Sequence, residues 1–279
     1  MRQFFILASV LVSMASASNA HDPEMGRATA ILNEGVIVEQ GGVKILFDPI
    51  YDNGFNAFPE QSEALKQAII EGASPYDGVD AIFVSHFHGD HFSTPNMLRL
   101  MKAQSKVRLY APAQAVEAMK ANENWMPEIA NRVEAIDLKT GEAPVAFMLG
   151  ETKIEAIRTP HIGWPNDHLQ VENITFRVSL AGGVRVMHMG DADTAKEHFS
   201  PYHEFFSSAR SHLGFVPFWF FDGPESVTYM DKALNIRHAV GIHTPIEVPE
   251  SLKKAREEYG ADYFSKLGET RYVGETEKN

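Results

Sequence analysis

The chain has 279 residues, 44% of them hydrophobic and 22% charged, with 18 Phe, 8 Tyr and a formal net charge of −12. That is enough to bury a sizeable core, and the composition is that of a folded protein, not a disordered or fibrous one. It contains no Cys, which excludes disulfides, thiolate metal ligands and cysteine nucleophiles together; the acidic balance, with no cluster of Lys and Arg, argues against a nucleic-acid partner.

The N-terminus reads as an export signal. Arg2 gives a positive start, Phe4 to Val12 is an apolar run, and Ser18-Asn19-Ala20 places small residues before a cleavage point. The run is well short of the ~20 residues that span a bilayer. Residues 1–20 are therefore expected to be removed, leaving a mature chain from His21, periplasmic or secreted, without a transmembrane anchor. The absence of Cys also closes the lipoprotein route.

Residues 36–38 and 43–47 flank Gly41-Gly42 as a β-hairpin ending at Asp48-Pro49, followed by an irregular loop over 52–60. A helix is expected over 63–71 and a buried strand over 79–84. Thr94-Pro95 reads as a helix start, with Thr94 as cap and the helix running over 96–106. Then come a strand over 107–110, a helix over 112–121 and short strands over 132–138, 144–149 and 153–159. A second hairpin, 171–180 with 184–189, turns at Gly182-Gly183. The last third alternates helices (201–209, 225–235, 249–259) with strands (213–216, 238–242). No repeat or Ser/Gly-rich linker divides the chain, so residues 21–279 are expected to form one domain of two facing sheets with helices outside.

The chemistry concentrates in Ser85-His86-Phe87-His88-Gly89-Asp90-His91. Three imidazoles and a carboxylate directly after a buried strand can be aimed at one point, and nitrogen and carboxylate oxygen are the donors zinc accepts. A merely polar, histidine-rich turn would crowd imidazoles together to no purpose.

His-x-His-x-Asp-His on a loop after a strand resembles the metallo-β-lactamase superfamily. The resemblance extends to Asp48, Thr159-Pro160-His161, His188-Met189-Gly190-Asp191 and Gly241-Ile242-His243-Thr244-Pro245. It implies a four-layer αββα sandwich of the α/β class with two zinc ions at one edge. It also implies that His86, His88 and His161 hold the first ion, that Asp90, His91 and His243 hold the second, and that Asp191 bridges them. Asp193 competes with Asp191 for the bridging place, and His188 is a candidate supporting residue behind the ligands. The site would then act through a hydroxide activated by both zinc ions, with Asp90 as the catalytic acid–base group.

Within the superfamily, the missing Cys and the presence of Asp191 differ from two sets of true β-lactamases. His88 stands where the diiron oxygen-reducing relatives carry an acidic residue. These features favour a dizinc hydrolase, with manganese or iron as alternative metals. The Asp-Pro after the first hairpin and the His-Thr-Pro near the end resemble the branch of sugar-phosphate lactonases and N-acyl phospholipid hydrolases. Trp164 and the aromatic run 215–221, including Trp219, suit either an apolar substrate pocket or core packing. Only Arg158 and Arg185 are basic near the ligands in sequence, which ranks ester, lactone or amide cleavage of a small-molecule or acyl substrate above phosphodiester cleavage. A metal- or partner-binding protein without turnover is the remaining alternative.

Overall fold

The computed structural model describes residues 25–273; the export signal read over residues 1–20, and its cleavage point, lie outside them. No helix among the described residues is long and apolar enough to cross a membrane.

The first sheet is built from β1 (Gly26–Leu32), β2 (Gly35–Gln40), β3 (Val43–Phe47), β4 (Ala81–Phe83), β5 (Arg108–Pro112) and β6 (Val133–Ile136). The second contains β7 (Val145–Leu149), β8 (Thr152–Arg158), β9 (Ile174–Ser179), β10 (Arg185–His188), β11 (Ser211–Pro217), β12 (Ile236–Ile242) and β13 (Asp262–Tyr263). A last strand, β14 (Thr270–Val273), returns to the first sheet, giving the orders β14-β1-β2-β3-β4-β5-β6 and β13-β12-β11-β10-β9-β8-β7. Each sheet has an antiparallel half, β14 to β3 and β7 to β10, and a parallel half, β3 to β6 and β10 to β13.

Period-two alternation places the core. On β2, Val36 and Val38 face the other sheet and Ile37 faces outward. Ile45, Phe47 and Phe83 meet Ile154, Phe176, Val186 and Phe215 between the sheets. Over the outer face of the first sheet lie α1 (Glu63–Glu71), α2 (Thr94–Ala103) and α3 (Ala113–Ala121), whose Ile69, Met97, Leu100 and Met119 cover Leu46, Ile82 and Leu109. Over the second lie α4 (His203–Ser208), α5 (Pro224–Lys232) and α6 (Glu250–Tyr259), which contribute Phe205, Phe206, Met230 and Leu252. The result is the expected αββα sandwich.

Arg177 on β9 is the largest fully buried side chain. It donates to Glu155 Oε2 at 2.9 Å, to the carbonyl of Phe205, to Ala209 O at 3.2 Å and to Ser208 Oγ at 3.1 Å, and lies 4.0 Å over the Phe205 ring. One guanidinium thereby ties α4 and the turn after it to the second sheet.

Both expected hairpins form; Gly41 (φ 59°) and Gly42 (φ 83°) turn the first through the left-handed region that a side chain resists. The start of α2 differs from expectation. Ser93, not Thr94, is the cap, because its Oγ accepts from Asn96 N, and Thr94 and Pro95 sit inside the helix. Three strands, β1, β13 and β14, have no counterpart in the sequence reading.

Candidate metal centre

The motif loop leaves β4 under tight control. Ser85 N donates to Asp48 Oδ1 at 2.7 Å and Ser85 Oγ to Asp48 Oδ2 at 2.5 Å, while Ile174 N donates to Ser85 O, linking the loop to the second sheet. His91 N and Phe92 N both donate to His88 O, closing a turn that brings His86, His88 and His91 onto one side. Asn33 Nδ2 donates to Asp90 O at 2.9 Å.

The second sheet supplies the other half. His161 follows β8 and its Nδ1 donates to Ile162 O at 2.8 Å, leaving Nε2 directed at the centre. Asp191 follows β10 across Gly190, whose φ is 52° and where a Cβ would meet Asn173 Oδ1 at 2.4 Å and Ser85 Cβ at 2.6 Å. Only glycine fits there. Asn173 accepts from Asp191 N through Oδ1 and donates through Nδ2 to Thr159 Oγ1 and Met189 O, so its amide fixes the turn that carries Asp191. His243 follows β12 in the left-handed region (φ 57°), a strained conformation typical of functional positions. Its N donates to Asn33 O, and the Phe58 ring meets its imidazole edge-on at 3.8 Å.

Asp191 lies at the centre. Its Oδ2 is 3.3 Å from His161 Nε2 and 3.9 Å from His86 Nε2; its Oδ1 is 3.4 Å from His91 Nε2 and 3.5 Å from His243 Nε2. Asp90 Oδ2 adds a second carboxylate, 3.2 Å from His243 Nε2 and 3.9 Å from His91 Nε2. The Nε2 atoms of His86, His91, His161 and His243 are buried and have no hydrogen-bond partner. Orphaned nitrogens facing a shared carboxylate are the arrangement cations complete. Two separate groups among the described residues have ligand atoms mutually close enough for one ion each, His86, His88 and His161, and Glu34, His91, Asp191 and His243; a third, Glu34, Asp48 and His188, shares Glu34 with the second.

The charges divide in the same way. Burial, helped by the neighbouring His91, holds His86 well below the ordinary imidazole range, and burial with His161 and His91 brings His88 down to about 4. Both are therefore neutral, the form that binds metal. On the other side burial opposes the charged form of His243, but Asp191 and Asp90 override it and raise His243 to about 10. His91 is likewise raised, against burial, by Asp191, Glu34 and Asp48.

The structure brings His86, His88, Asp90, His91, His161, Asp191 and His243 together. Asp193 instead faces His198 at 3.4 Å. His188 stays behind the centre, stacked 4.9 Å from Phe47 with its Nε2 donating to Glu34 O. Trp164 is exposed beside His161, edge-on to His198 at 6.0 Å. Trp219 donates Nε1 to Ala192 O, and its ring lies 5.4 Å from His243; Phe215, Val216, Phe220 and Phe221 are buried as core. Arg158 and Arg185 are engaged with backbone carbonyls, Arg158 with Leu138 O and Arg185 with Arg210 O. The sequence reading missed Glu34 and His168. His168 sits at the rim, half exposed, with its ring 4.8 Å from that of His161 and 5.2 Å from that of His88. Neither belongs to a motif; only spatial proximity reveals them.

The sandwich and the donor set define a metal-dependent hydrolase of the metallo-β-lactamase fold. A family model described as "Beta-lactamase superfamily domain" matches residues 43–221, and the chain belongs to that family. No curated protein matches the sequence. Among solved structures, the chain is similar to Igni18, a metallo hydrolase from Ignicoccus hospitalis, with 16% identity and a TM-score of 0.58 over 89% of this chain and 98% of that one. It is similar to the metallo-β-lactamase fold protein YhfI from Bacillus subtilis, with 15% identity and a TM-score of 0.55 over 89% and 98%. It is also similar to CmlA, a diiron β-hydroxylase from Streptomyces venezuelae, with 12% identity and a TM-score of 0.55 over 89% of this chain and 54% of that one.

Proposed function

We propose that the chain is an exported zinc hydrolase that opens an ester, lactone or amide bond in a small molecule carrying an acyl or other apolar arm. The observation that carries this reading is the division of Asp191, one oxygen facing His86 and His161 and the other facing His91 and His243. His86, His88 and His161 would hold one ion, Asp90, His91 and His243 the other, and Asp191 both. When bound, the ions supply an activated water and Lewis acidity at neutral pH. Asp90, held through its backbone by Asn33 and with its carboxylate 3.2 Å from His243 Nε2, would be placed to orient that water and to pass a proton to the leaving group.

The donors are imidazole and carboxylate without thiolate, a set suited to zinc. Its histidine at position 88 distinguishes it from the motif of the oxygen-reducing diiron relatives. An apolar substrate arm is supported by the rim: Phe55, Phe87, Trp164, Leu169 and Ile246 are exposed, and all lie on the loops that carry or flank the centre. Patches of this kind mark binding surfaces. The engagement of Arg158 and Arg185 with backbone carbonyls disfavours a phosphodiester. Export rests on the composition of residues 1–20.

The test is metal analysis of the purified mature chain together with ester, lactone, amide, β-lactam and bis-phenyl phosphate reporters. Two zinc per chain with turnover of an ester, lactone or amide is expected, and both should be lost in Asp191→Ala and His88→Ala. Turnover of the phosphodiester alone, oxygen consumption by an iron-loaded chain, or an absence of metal and turnover would each overturn the reading.

A further inference from the structure

Glu34, in the turn between β1 and β2, is an acidic side chain fully enclosed by protein, and neither carboxylate oxygen has a hydrogen-bond partner. Burial strongly disfavours the ionised form of a carboxyl group without partners, and a cation held by its neighbours would favour that form. Asp48 beside it is already engaged, accepting from Ser85 N, Ser85 Oγ and His91 Nδ1. His188 is no partner either. Gly190 N donates to His188 Nδ1, so the ring proton sits on Nε2, which gives it to the backbone carbonyl of Glu34 at 3.1 Å while the carboxylate waits at 3.7 Å. His91 Nδ1 is 3.1 Å from Asp48 Oδ2 and 3.6 Å from Glu34 Oε2, so two carboxylates contend for one N–H.

One complementary group remains. His243 is buried with neither ring nitrogen hydrogen-bonded, and ligand-capable atoms of Glu34, His91, Asp191 and His243 lie within 4.8 Å of one another. We infer that Glu34 is a positioning residue of the second metal position, standing behind His91 at its Nδ1 with His243 within reach. Histidine ligands hold their orientation by donating the nitrogen that does not face the metal to a carboxylate or carbonyl, and a carboxylate there also strengthens the ligand. His161 has such a partner in Ile162 O. Glu34 stands in the equivalent place behind His91, beside Asp48 and with His243 in reach, so its acidic group lies toward a cation at this position and not at the His86–His88–His161 position. This rests on the two-metal reading above and assigns a role outside the ligand set the motif implies.

The experiment is zinc titration of the metal-depleted full-length mature chain and of Glu34→Gln and Glu34→Leu, alongside urea unfolding of each without metal. Gln keeps an acceptor but no charge; Leu removes both. The first zinc should bind all three alike, whereas the second should weaken about 10-fold in E34Q and about 100-fold in E34L, the range typical of such partners. Without metal, E34L should be at least as stable as the parent, because a buried carboxyl group with no hydrogen-bond partner has been replaced by an apolar side chain. Equal binding of both zinc ions by all three chains overturns the inference alone. A metal-free E34L that is less stable and has lost both sites equally overturns it in favour of a purely structural role. A parent chain that binds no zinc overturns the two-metal reading and the inference with it.

Discussion

Without metal, the stability of this protein should peak near pH 6.5 and fall on both sides, and zinc should abolish the fall on the alkaline side. His243 is raised from 6.5 to about 10, with Asp191 and Asp90 overcoming the cost of burial. The folded protein therefore keeps this proton where the unfolded chain has lost it. The resulting stabilisation is complete below pH 6.5 and disappears as pH climbs through about 10. At about 1.4 kcal/mol per pH unit, a single unshared group would contribute roughly 5 kcal/mol, and sharing Asp191 with His91 brings the expected loss to roughly 2–4 kcal/mol. His88 acts at the other end. Held at about 4 by burial and by His161, it stays neutral in the fold, so stability is lost as pH drops from 6.5 towards 4. Zinc takes the place of protons on the imidazoles, and its binding strengthens as they deprotonate. Urea midpoints measured from pH 5 to pH 10, with chelator and with zinc, read this directly. A chelated protein as stable at pH 9.5 as at pH 6.5 would refute the charge assignment at Asp191.

Three further outcomes are expected. Arg177→Met should lower stability by about 3–5 kcal/mol, because it leaves Glu155 half paired and the carbonyls of Phe205 and Ala209 without their buried donor; chemical denaturation measures it, and a change below about 1 kcal/mol would contradict the clamp. Gly190→Ala should cost about 2–4 kcal/mol and most of the bound metal, since the added methyl meets Asn173 and Ser85 within 2.6 Å at a left-handed φ; metal analysis after dialysis separates this from a purely global loss. Trp164→Ala should raise KM about 10-fold for reporters with long acyl chains while leaving kcat and short-chain reporters unchanged, through loss of apolar contact at the rim.

Much of this architecture was legible because its signals are local. The hairpin at Gly41-Gly42, the apolar run into β4 and the motif after it lie within short windows, and His161, Asp191 and His243 each follow a recognisable strand. What escaped depends on distant partners. β1, of sequence Gly-Arg-Ala-Thr-Ala-Ile-Leu, carries little strand propensity of its own; it exists because β2 and, from the far end of the chain, β14 pair with it. Thr94 looked like a cap because it precedes proline, yet the neighbouring Ser93 reaches the amide of Asn96 first. Glu34 sits in an otherwise apolar stretch with no motif around it, and its relation to His91, across more than fifty positions of sequence, belongs only to the folded chain.

The seven converging side chains come from both layers of the sandwich. His86, His88, Asp90 and His91 belong to the first sheet, and His161, Asp191 and His243 to the second, with Gly190 seated against Ser85 where the loops meet. An ion gripped by donors from both sides is a rivet between two plates as well as a reagent. Neither plate alone owns the full donor set, so under the two-ion proposal assembly of the sandwich would precede full loading. Release of metal would then be the first measurable sign that the plates have begun to part at this edge.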